Sequence, residues 1–230
     1  MSSGFRFKRF VVNHDKCAMK VGTDGVLLGA WATGGKRILD IGTGSGLIAM
    51  MMAQRFQHAH IDAIDIDSGA CLQARENVAG SEFNGRIDVV ESSLQNYVSA
   101  EYDAIVCNPP FYASSPDSLT VQRTFARSAV ALPFSDLFRH ASRLLSSHGV
   151  FSVVIPTAYR NSFDTEAAFA GLWPLRAYGI HTVNRKPVSR WLLAYGNTRI
   201  DVVEESEYCL NNDDMTRSEW YQELTGDFYL

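Results

Sequence analysis

Residues 40–46 (DIGTGSG) combine one carboxylate with three glycines at alternate positions. Glycines let the backbone turn tightly and approach a ligand closely, because no Cβ stands in the way. The spacing differs from the GxGxxG fingerprint of dinucleotide sites, and an acid two residues before the first glycine would repel a pyrophosphate. The pattern therefore favours a ligand with a cationic end, and the predicted binding residues are Asp40, Gly42, Gly44 and Gly46.

S-adenosylmethionine has such an end, since its methionine part carries an ammonium and a sulfonium, and we predict it as the cofactor. Asp65 ends the next apolar alternation, where a carboxylate can accept both hydroxyls of an adenosine ribose. We interpret Asp67 as a helix-start residue. After the third predicted strand, where an acid often meets the adenine amine, the chain has Ser93, whose hydroxyl can still accept a hydrogen bond.

A second group of residues suits the methylation of an amino nitrogen. It consists of Asn108, Pro109, Pro110 and Phe111. The side-chain oxygen of Asn108 and the carbonyl of Pro109 can accept the two N–H bonds of an exocyclic amine and draw its lone pair out of conjugation. Two prolines hold these acceptors in place, and Phe111 can stack on a base. The alternative is a Pro-Pro turn that ends a strand, with Phe111 in the core.

Apolar runs and turn residues predict the elements that position these groups. Strands and helices alternate, which indicates a doubly wound α/β sheet with the glycine loop and Asn108 at the same edge. The last two strands have no clear helix between them and are predicted to pair antiparallel at one edge. The predicted strands are 37–41, 60–66, 87–90, 102–107, 149–155, 175–183 and 190–195, and the helices are 47–56, 68–79, 134–145 and 159–171.

Length and composition restrict the kind of protein. The chain has 230 residues and a net charge of -4, which suits one α/β domain and argues against nucleic-acid binding by bulk charge alone. No apolar stretch is long enough to span a membrane, and no secretion signal is evident, so we expect a cytoplasmic protein. The four cysteines form no CxxC pair, and we predict reduced thiols and no metal site.

These motifs resemble the class I S-adenosylmethionine-dependent methyltransferases that carry an (N/D/S)PP(Y/F/W) sequence. The resemblance covers residues 36–196 and implies a Rossmann-like sheet of order 3-2-1-4-5-7-6 with strand seven antiparallel. Members of this group methylate adenine N6, guanine N2, cytosine N4 or a glutamine side-chain amide. The motif alone does not select among these four targets.

Residues near both ends of the chain resemble one particular family within this group. Residues 14–31 (HDKCAMKVGTDGVLLGAW) and 223–230 (ELTGDFYL) are similar to the tRNA1(Val) adenine-N6 methyltransferase family, which modifies adenosine 37. The resemblance implies that Lys20, Thr23 and Asp24 belong to the cofactor pocket. A packed loop and helix start is the alternative for this stretch. We therefore expect residues 1–35 to pack at the site, residues 36–200 to form the core domain and residues 201–230 to pack back on it.

Adenosine 37 lies in a single-stranded loop, so presenting it costs less than flipping a base out of a duplex. We predict that the tRNA phosphates contact basic residues at the rim of the carboxyl edge. Residues 112–133 are predicted to form a long loop that can close over the substrate, and we favour a monomer. The candidate phosphate ligands are Arg6, Lys8, Arg9, Arg123, Arg127, Arg185, Lys186 and Arg190.

Three alternatives differ in testable ways. Another amine target, such as an rRNA base or a release-factor glutamine, keeps the same chemistry, although a release-factor enzyme usually carries an additional N-terminal helical domain. A nicotinamide dehydrogenase would need the GxGxxG spacing and a proton relay, and neither is evident. A non-catalytic RNA-binding protein of the same fold would have no need to keep Asp40, Asp65 and Asn108.

Overall fold

A computed structural model of the chain describes residues 4–110 and 132–230. Ten strands and six α-helices lie in these residues, with a short 3-10 turn at Thr157–Tyr159. The strands are β1 (Phe5–Arg6), β2 (Val11–Val12), β3 (Arg37–Ile41), β4 (His60–Asp65), β5 (Ile87–Glu91), β6 (Tyr102–Cys107), β7 (Leu145–Pro156), β8 (Trp173–His181), β9 (Val188–Gly196) and β10 (Glu204–Cys209). The helices are α1 (Thr23–Trp31), α2 (Leu47–Arg55), α3 (Ser68–Ala79), α4 (Phe134–Leu144), α5 (Arg160–Phe169) and α6 (Glu219–Thr225).

Eight strands form one sheet of order β10-β8-β9-β7-β6-β3-β4-β5. Without β10, this is the expected seven-strand order, so the predicted α/β fold class is confirmed. The last two predicted strands, β8 and β9, pair antiparallel as predicted, and β9 is also antiparallel to β7 on its other side. The edge belongs to β10, which pairs parallel to β8. A short connection between β8 and β9 explains the antiparallel pairing, because parallel neighbours need a longer crossover.

Both faces of the sheet are covered, which is why the central strands are apolar on both sides. Strand β6 is buried along most of its length, and helix α2 is almost entirely buried. One core cluster includes α1, α2, the N-terminal hairpin and the C-terminal aromatics, and the other lies under α4 and α5. None of the helices in the described ranges is both long and apolar enough to cross a membrane.

The N-terminal segment runs along helix α3 toward the carboxyl edge of the sheet, where the parallel strands end. Asn77 accepts from the amide of Asn13 at 3.0 Å and donates from Nδ2 to the carbonyl oxygens of Asn13 and Ser45, each at 2.8 Å. The amide of Lys16 donates to Gln73 one turn nearer the start of α3, at 3.2 Å. The segment therefore runs antiparallel to α3 and delivers residues 17–25 to the carboxyl edge.

The C-terminal residues close against the β1–β2 hairpin at the opposite, amino edge. Phe228 is buried, and its carbonyl accepts from the amide of Lys8 at 2.8 Å. The Tyr229 ring lies 5.8 Å from Phe7 between centroids, and the Gln54 side chain donates to the Asp227 carbonyl at 2.8 Å. Because Gln54 is near the end of α2, these contacts attach both chain ends to the side of the sheet opposite the glycine loop.

Candidate active site

A cavity of about 1020 Å³ opens at the carboxyl ends of β3, β4, β5 and β6. Its walls include the glycine loop, the ends of β4 and β5, the Asn108 turn and the N-terminal segment. Parallel strands bring these segments together because all their carboxyl ends meet at one edge. The lining ranges are 17–20, 22–25, 41–45, 64–68, 92–95 and 107–110, together with Leu47, Ile48, Ala70, Leu132 and Arg190.

All three predicted glycines adopt left-handed backbone angles, with φ of 69° at Gly42, 56° at Gly44 and 79° at Gly46. A Cβ at Gly42 or Gly44 would meet no atom within 4 Å, so conformation rather than lack of space requires glycine there. The amides of Gly42 and Thr43 donate to the Ile64 carbonyl, which ties the loop to β4. Gly42 and Gly44 line the cavity, whereas Gly46 is the N-cap of α2.

Asp40 lies beneath the loop, not on the cavity wall where direct contact with a cationic ligand was predicted. It is fully buried, and its Oδ2 accepts from the Thr43 hydroxyl at 2.6 Å and the Ala49 amide at 3.1 Å. Its Oδ1 is buried and has no hydrogen-bond partner among the residues that the structure describes. Burial raises the pKa of this carboxyl to about 7. Because Ala49 is in the first turn of α2, Asp40 serves as the cap that Gly46 lacks.

Asp65 lines the cavity and also fixes the glycine loop. Its Oδ2 accepts from the Gly44 amide at 2.9 Å, and its Oδ1 accepts from the Asp67 amide at 2.9 Å. Each carboxylate oxygen has further lone pairs, so these bonds leave acceptor capacity toward the cavity. The Asp67 side chain accepts from Gly69 at the start of α3, as expected for a helix-start residue.

Ser93 lines the cavity as predicted, and its hydroxyl accepts from the Asn96 amide at 3.3 Å. The cavity wall beside it is apolar, formed by Ile66 and Leu94. Ile66 is 58% exposed, which is unusual for a large aliphatic residue and leaves its side chain available to a flat ligand. This part of the cavity therefore combines two apolar surfaces with a polar rim.

Asn108 and Pro109 line the same cavity as the glycine loop, at the end of β6, which is the strand beside β3. Asn108 is half-buried, and its side chain makes no hydrogen bond within residues 4–110 and 132–230. A Cβ added at Gly25 would lie 4.0 Å from Asn108 Nδ2, so the start of α1 passes close to this amide. Phe111 lies outside the described residues.

The N-terminal segment contributes Lys20, Thr23 and Asp24 to the cavity wall, where the resemblance placed them. The Asp24 carboxylate forms an ion pair with Arg190, which enters the same wall from the start of β9. Arg190 was predicted to contact RNA at an open rim. The structure instead pairs it with Asp24, so its charge is already compensated.

Cys17, Ala18 and Met19 also line the cavity and were not predicted. Small and sulfur-containing residues carry no signal of their own in a sequence. Burial raises the pKa of Cys17 to about 11, which keeps it a neutral thiol.

The predicted basic rim separates into two groups. Arg185 and Lys186 are exposed between β8 and β9 at the carboxyl edge, as predicted. Arg9 instead pairs with Glu82 at 2.7 Å, beyond the far end of α3. This helix begins at the cavity, and its 12 residues span about 18 Å, so Arg9 lies far from the cavity. Lys8 donates to Gly226 at 2.6 Å, and Arg6 belongs to the same hairpin, so the prediction that these three rim the site is wrong. Arg123, Arg127 and most of the predicted loop at 112–133 lie outside the described residues.

Comparisons with known proteins agree with this arrangement. Residues 20–171 match the family described as the methyltransferase small domain. The chain is 43% identical to the tRNA1(Val) (adenine(37)-N6)-methyltransferase of Aeromonas hydrophila, covering 100% of this chain and 98% of the relative. It is 44% identical to the protein of the same name in Parabacteroides distasonis, covering 98% and 97%. A crystal structure of a predicted O-methyltransferase from Agrobacterium tumefaciens has the same fold, with a TM-score of 0.70 and 18% identity over 89% of this chain and 96% of the other.

Proposed function

The chain belongs to the methyltransferase small domain family and to the tRNA1(Val) (adenine(37)-N6)-methyltransferases within it, and on that premise we propose that it methylates N6 of adenosine 37 in tRNA1(Val). S-adenosylmethionine is the proposed methyl donor. The observation that carries the proposal is the hydrogen-bonding capacity of Asn108, whose amide is unpaired in the described residues and faces the glycine-loop cavity.

The cavity suits S-adenosylmethionine. Asp65 retains acceptor capacity for the ribose hydroxyls after bonding the glycine loop. Ile66 and Leu94 offer apolar surfaces on which an adenine can lie. Asp40 lies buried beneath the loop with a raised pKa, and a cationic methionine end above it would favour its ionised form without touching it.

When bound, the cofactor supplies a methyl group on a positively charged sulfur. The chain contributes the orientation of the nucleophile. The side-chain oxygen of Asn108 and the carbonyl of Pro109 accept the two N–H bonds of the adenine amine, which directs the nitrogen lone pair toward the methyl carbon. Pro109 and Pro110 restrict the backbone, so the acceptors need little reorganisation. Positioning is the main requirement of such a displacement, and no acid–base residue is assigned.

The alternatives fit less well. A dehydrogenase would place a pyrophosphate on the loop, where the buried Asp40 carboxylate would repel it. A release-factor or rRNA target is less consistent with relatives that match over nearly their whole length and are named for tRNA. A non-catalytic RNA-binding protein would have no need for the Asn108 amide beside a cofactor cavity.

The test is methyl transfer from labelled S-adenosylmethionine to tRNA1(Val) that lacks native modification, followed by digestion to nucleosides and identification of the labelled nucleoside by mass. We expect N6-methyladenosine at position 37. Asn108→Ala should lower kcat about 100-fold or more, the scale found when a preorganised hydrogen-bonding group is removed, while cofactor affinity stays unchanged.

Asn161→Ala, an exposed substitution on α5, is the matched control and should leave kcat unchanged. Label in protein or rRNA but not in tRNA would contradict the proposed substrate. Full activity of Asn108→Ala would contradict the assigned role of the amide.

A further inference from the structure

Residues 182–187 form a turn between β8 and β9, hereafter the basic turn, at the edge of the sheet where the cavity opens. Arg185 and Lys186 are exposed on it. Within the turn, the Lys186 amide donates to the Val183 carbonyl at 3.0 Å. Arg190, four residues beyond Lys186, already lines the cavity, so the basic turn stands beside the site of reaction.

His181 is the last residue of β8 and contacts both the basic turn and the neighbouring strand. Its Nδ1 lies 2.6 Å from the Lys186 carbonyl oxygen, and its Nε2 lies 2.8 Å from Glu207 Oε2 on β10. Both partners are acceptors. A neutral imidazole has one N–H donor, so only the doubly protonated imidazolium satisfies both contacts.

The residues around His181 leave room for its contact with Glu207. A Cβ at Gly179, two residues earlier on the same face of β8, would lie 3.2 Å from Glu207 Cγ and 3.1 Å from the Trp191 ring. Glycine at 179 therefore leaves room for the Glu207 stem to pass over β8 and reach the imidazole. The His181 side chain is only 15% exposed, whereas Glu207 is 57% exposed.

The charged groups on the elements around His181 favour its protonated form. Glu207 is the group in direct contact, and Glu205 lies two residues away on β10. The nearby cations include the exposed Arg185 and Lys186 of the basic turn itself, Arg160 of α5, 3.8 Å from Glu205, and Arg190 of β9, which pairs with Asp24. The hydrogen bonds to Lys186 and Glu207 raise the pKa of His181, and burial opposes them.

We propose that the His181 imidazolium is a positioning residue that holds the basic turn, and with it Arg185 and Lys186, in the conformation that receives the phosphates of the RNA substrate. The inference rests on the proposed function for the identity of the ligand. The tether, meaning the contacts of His181 with Lys186 and Glu207, is present in the protein without RNA.

The sign of the pH effect follows from the contacts. Because the folded protein holds the protonated imidazole, the tether is complete at low pH and is lost as the pH rises through the raised pKa of His181. The neutral ring can donate to only one of the two acceptors. We therefore expect KM for tRNA to rise about tenfold across this transition, the effect of one charge-assisted hydrogen bond, with kcat unchanged.

The experiment uses two readouts on the full chain. Amide hydrogen exchange of residues 183–186 is measured without RNA, and KM and kcat for tRNA1(Val) are measured from pH 6 to pH 9. His181→Gln should speed exchange of the Lys186 amide relative to wild type at pH 6, with the difference shrinking at pH 9. Its KM should be raised at pH 6 and lose the dependence on pH. Glu207→Gln should move the rise in KM to lower pH, because the charge that stabilises the imidazolium is gone.

His148→Gln is the control, since this exposed histidine lies near the start of β7 at the other edge, and it should match wild type in both readouts. Equal exchange in His181→Gln and wild type at pH 6 would overturn the tether, whatever the substrate. A changed exchange rate with an unchanged KM profile would overturn the link to RNA. Absence of any methyl transfer by the wild type would instead count against the proposed function, and the exchange result would still decide the tether.

Discussion

At the scale of single residues, the sequence motifs and the structure agree on which side chains lie close together. They disagree on the roles of two of them, Asp40 and Arg190. The DIGTGSG pattern predicted that Asp40 contacts a ligand, and a cavity does open at this loop, yet Asp40 caps α2 from beneath it. Arg190 was predicted to contact RNA from its charge, and it pairs with Asp24. A sequence shows that a carboxylate or guanidinium is nearby, but the direction of a side chain depends on contacts between elements far apart in the chain.

Asp40 should make the free protein less stable as the pH rises. Burial raises its pKa from 3.8 in the unfolded chain to about 7, so the folded state disfavours the charged form. The stability is complete below about pH 4 and is lost progressively up to about pH 7, by on the order of 4 kcal/mol. Asp40→Asn should remove this part of the profile, as measured by urea unfolding between pH 4 and pH 8.

The matched control is Asp201→Asn, which removes an exposed carboxylate and should follow the wild-type profile. Parallel profiles for wild type and Asp40→Asn would show that Asp40 ionises as easily in the folded state as in the unfolded one.

At the scale of elements, two arginine side chains stabilise the end of helix α1 by hydrogen bonds to its carbonyl groups. Arg55 donates from Nη1 to the carbonyl oxygens of Gly29 and Ala32, at 3.0 and 2.7 Å, and so satisfies the end of α1. Arg176 donates to the Trp31 carbonyl at 3.2 Å and stacks over its ring at 4.0 Å. Burial and the nearby Arg176 charge lower the pKa of Arg55 to about 10, so its hydrogen bonds outweigh an unfavourable environment.

Arg55→Gln should therefore destabilise the fold by about 2–3 kcal/mol, because two buried carbonyl groups lose a charged donor. For a chain of this length, that corresponds to a fall in Tm of about 4–12 °C. Thermal unfolding measures it, and Arg139→Gln is the control because the Arg139 side chain is 67% exposed and its ion pair is with Asp136 on the same helix. An equal Tm for the two variants would mean that water replaces Arg55 at the end of α1.

Element prediction succeeded where apolar runs are unbroken. Strands β3 and β6 and helix α3 begin and end at the residues that the sequence predicted, since buried parallel strands and a helix beginning after Asp67 have strong local signals. Strand β10 was not predicted because its residues (EESEYC) are mostly polar. It is a strand because it pairs with β8, a contact that its own sequence does not indicate. Helix α1 was recognised only as a possible helix start, because two glycines weaken its local preference.

At the scale of the whole molecule, the distribution of charge matters more than its sum. The net charge of -4 conceals a separation between basic residues at the two edges of the sheet. The sequence could not show that Lys8 and Arg9 pack at the amino edge, because that depends on contacts with residues 218 and 73 positions away.

Replacing Arg185 and Lys186 together by Ala should weaken tRNA binding and flatten the dependence of log Kd on log salt by roughly 1–2. Lys8→Ala with Arg9→Ala, equal in charge removed, should leave both unchanged. Filter or fluorescence binding at several salt concentrations measures the slopes. A larger change for the Lys8 and Arg9 pair would place the RNA on the hairpin side instead.

The contact between the two ends of the chain also bears on synthesis. Phe7 packs against Tyr229, and the Lys8 amide donates to the Phe228 carbonyl, so this aromatic cluster cannot assemble until residues 228–229 have left the ribosome. The hairpin leads directly into the segment that runs along α3 and lines the cavity. During translation, that segment lacks its anchor at the amino edge. The cavity is thus expected to take its final form only after residues 228–229 have been made, although the strands that form its floor are made much earlier.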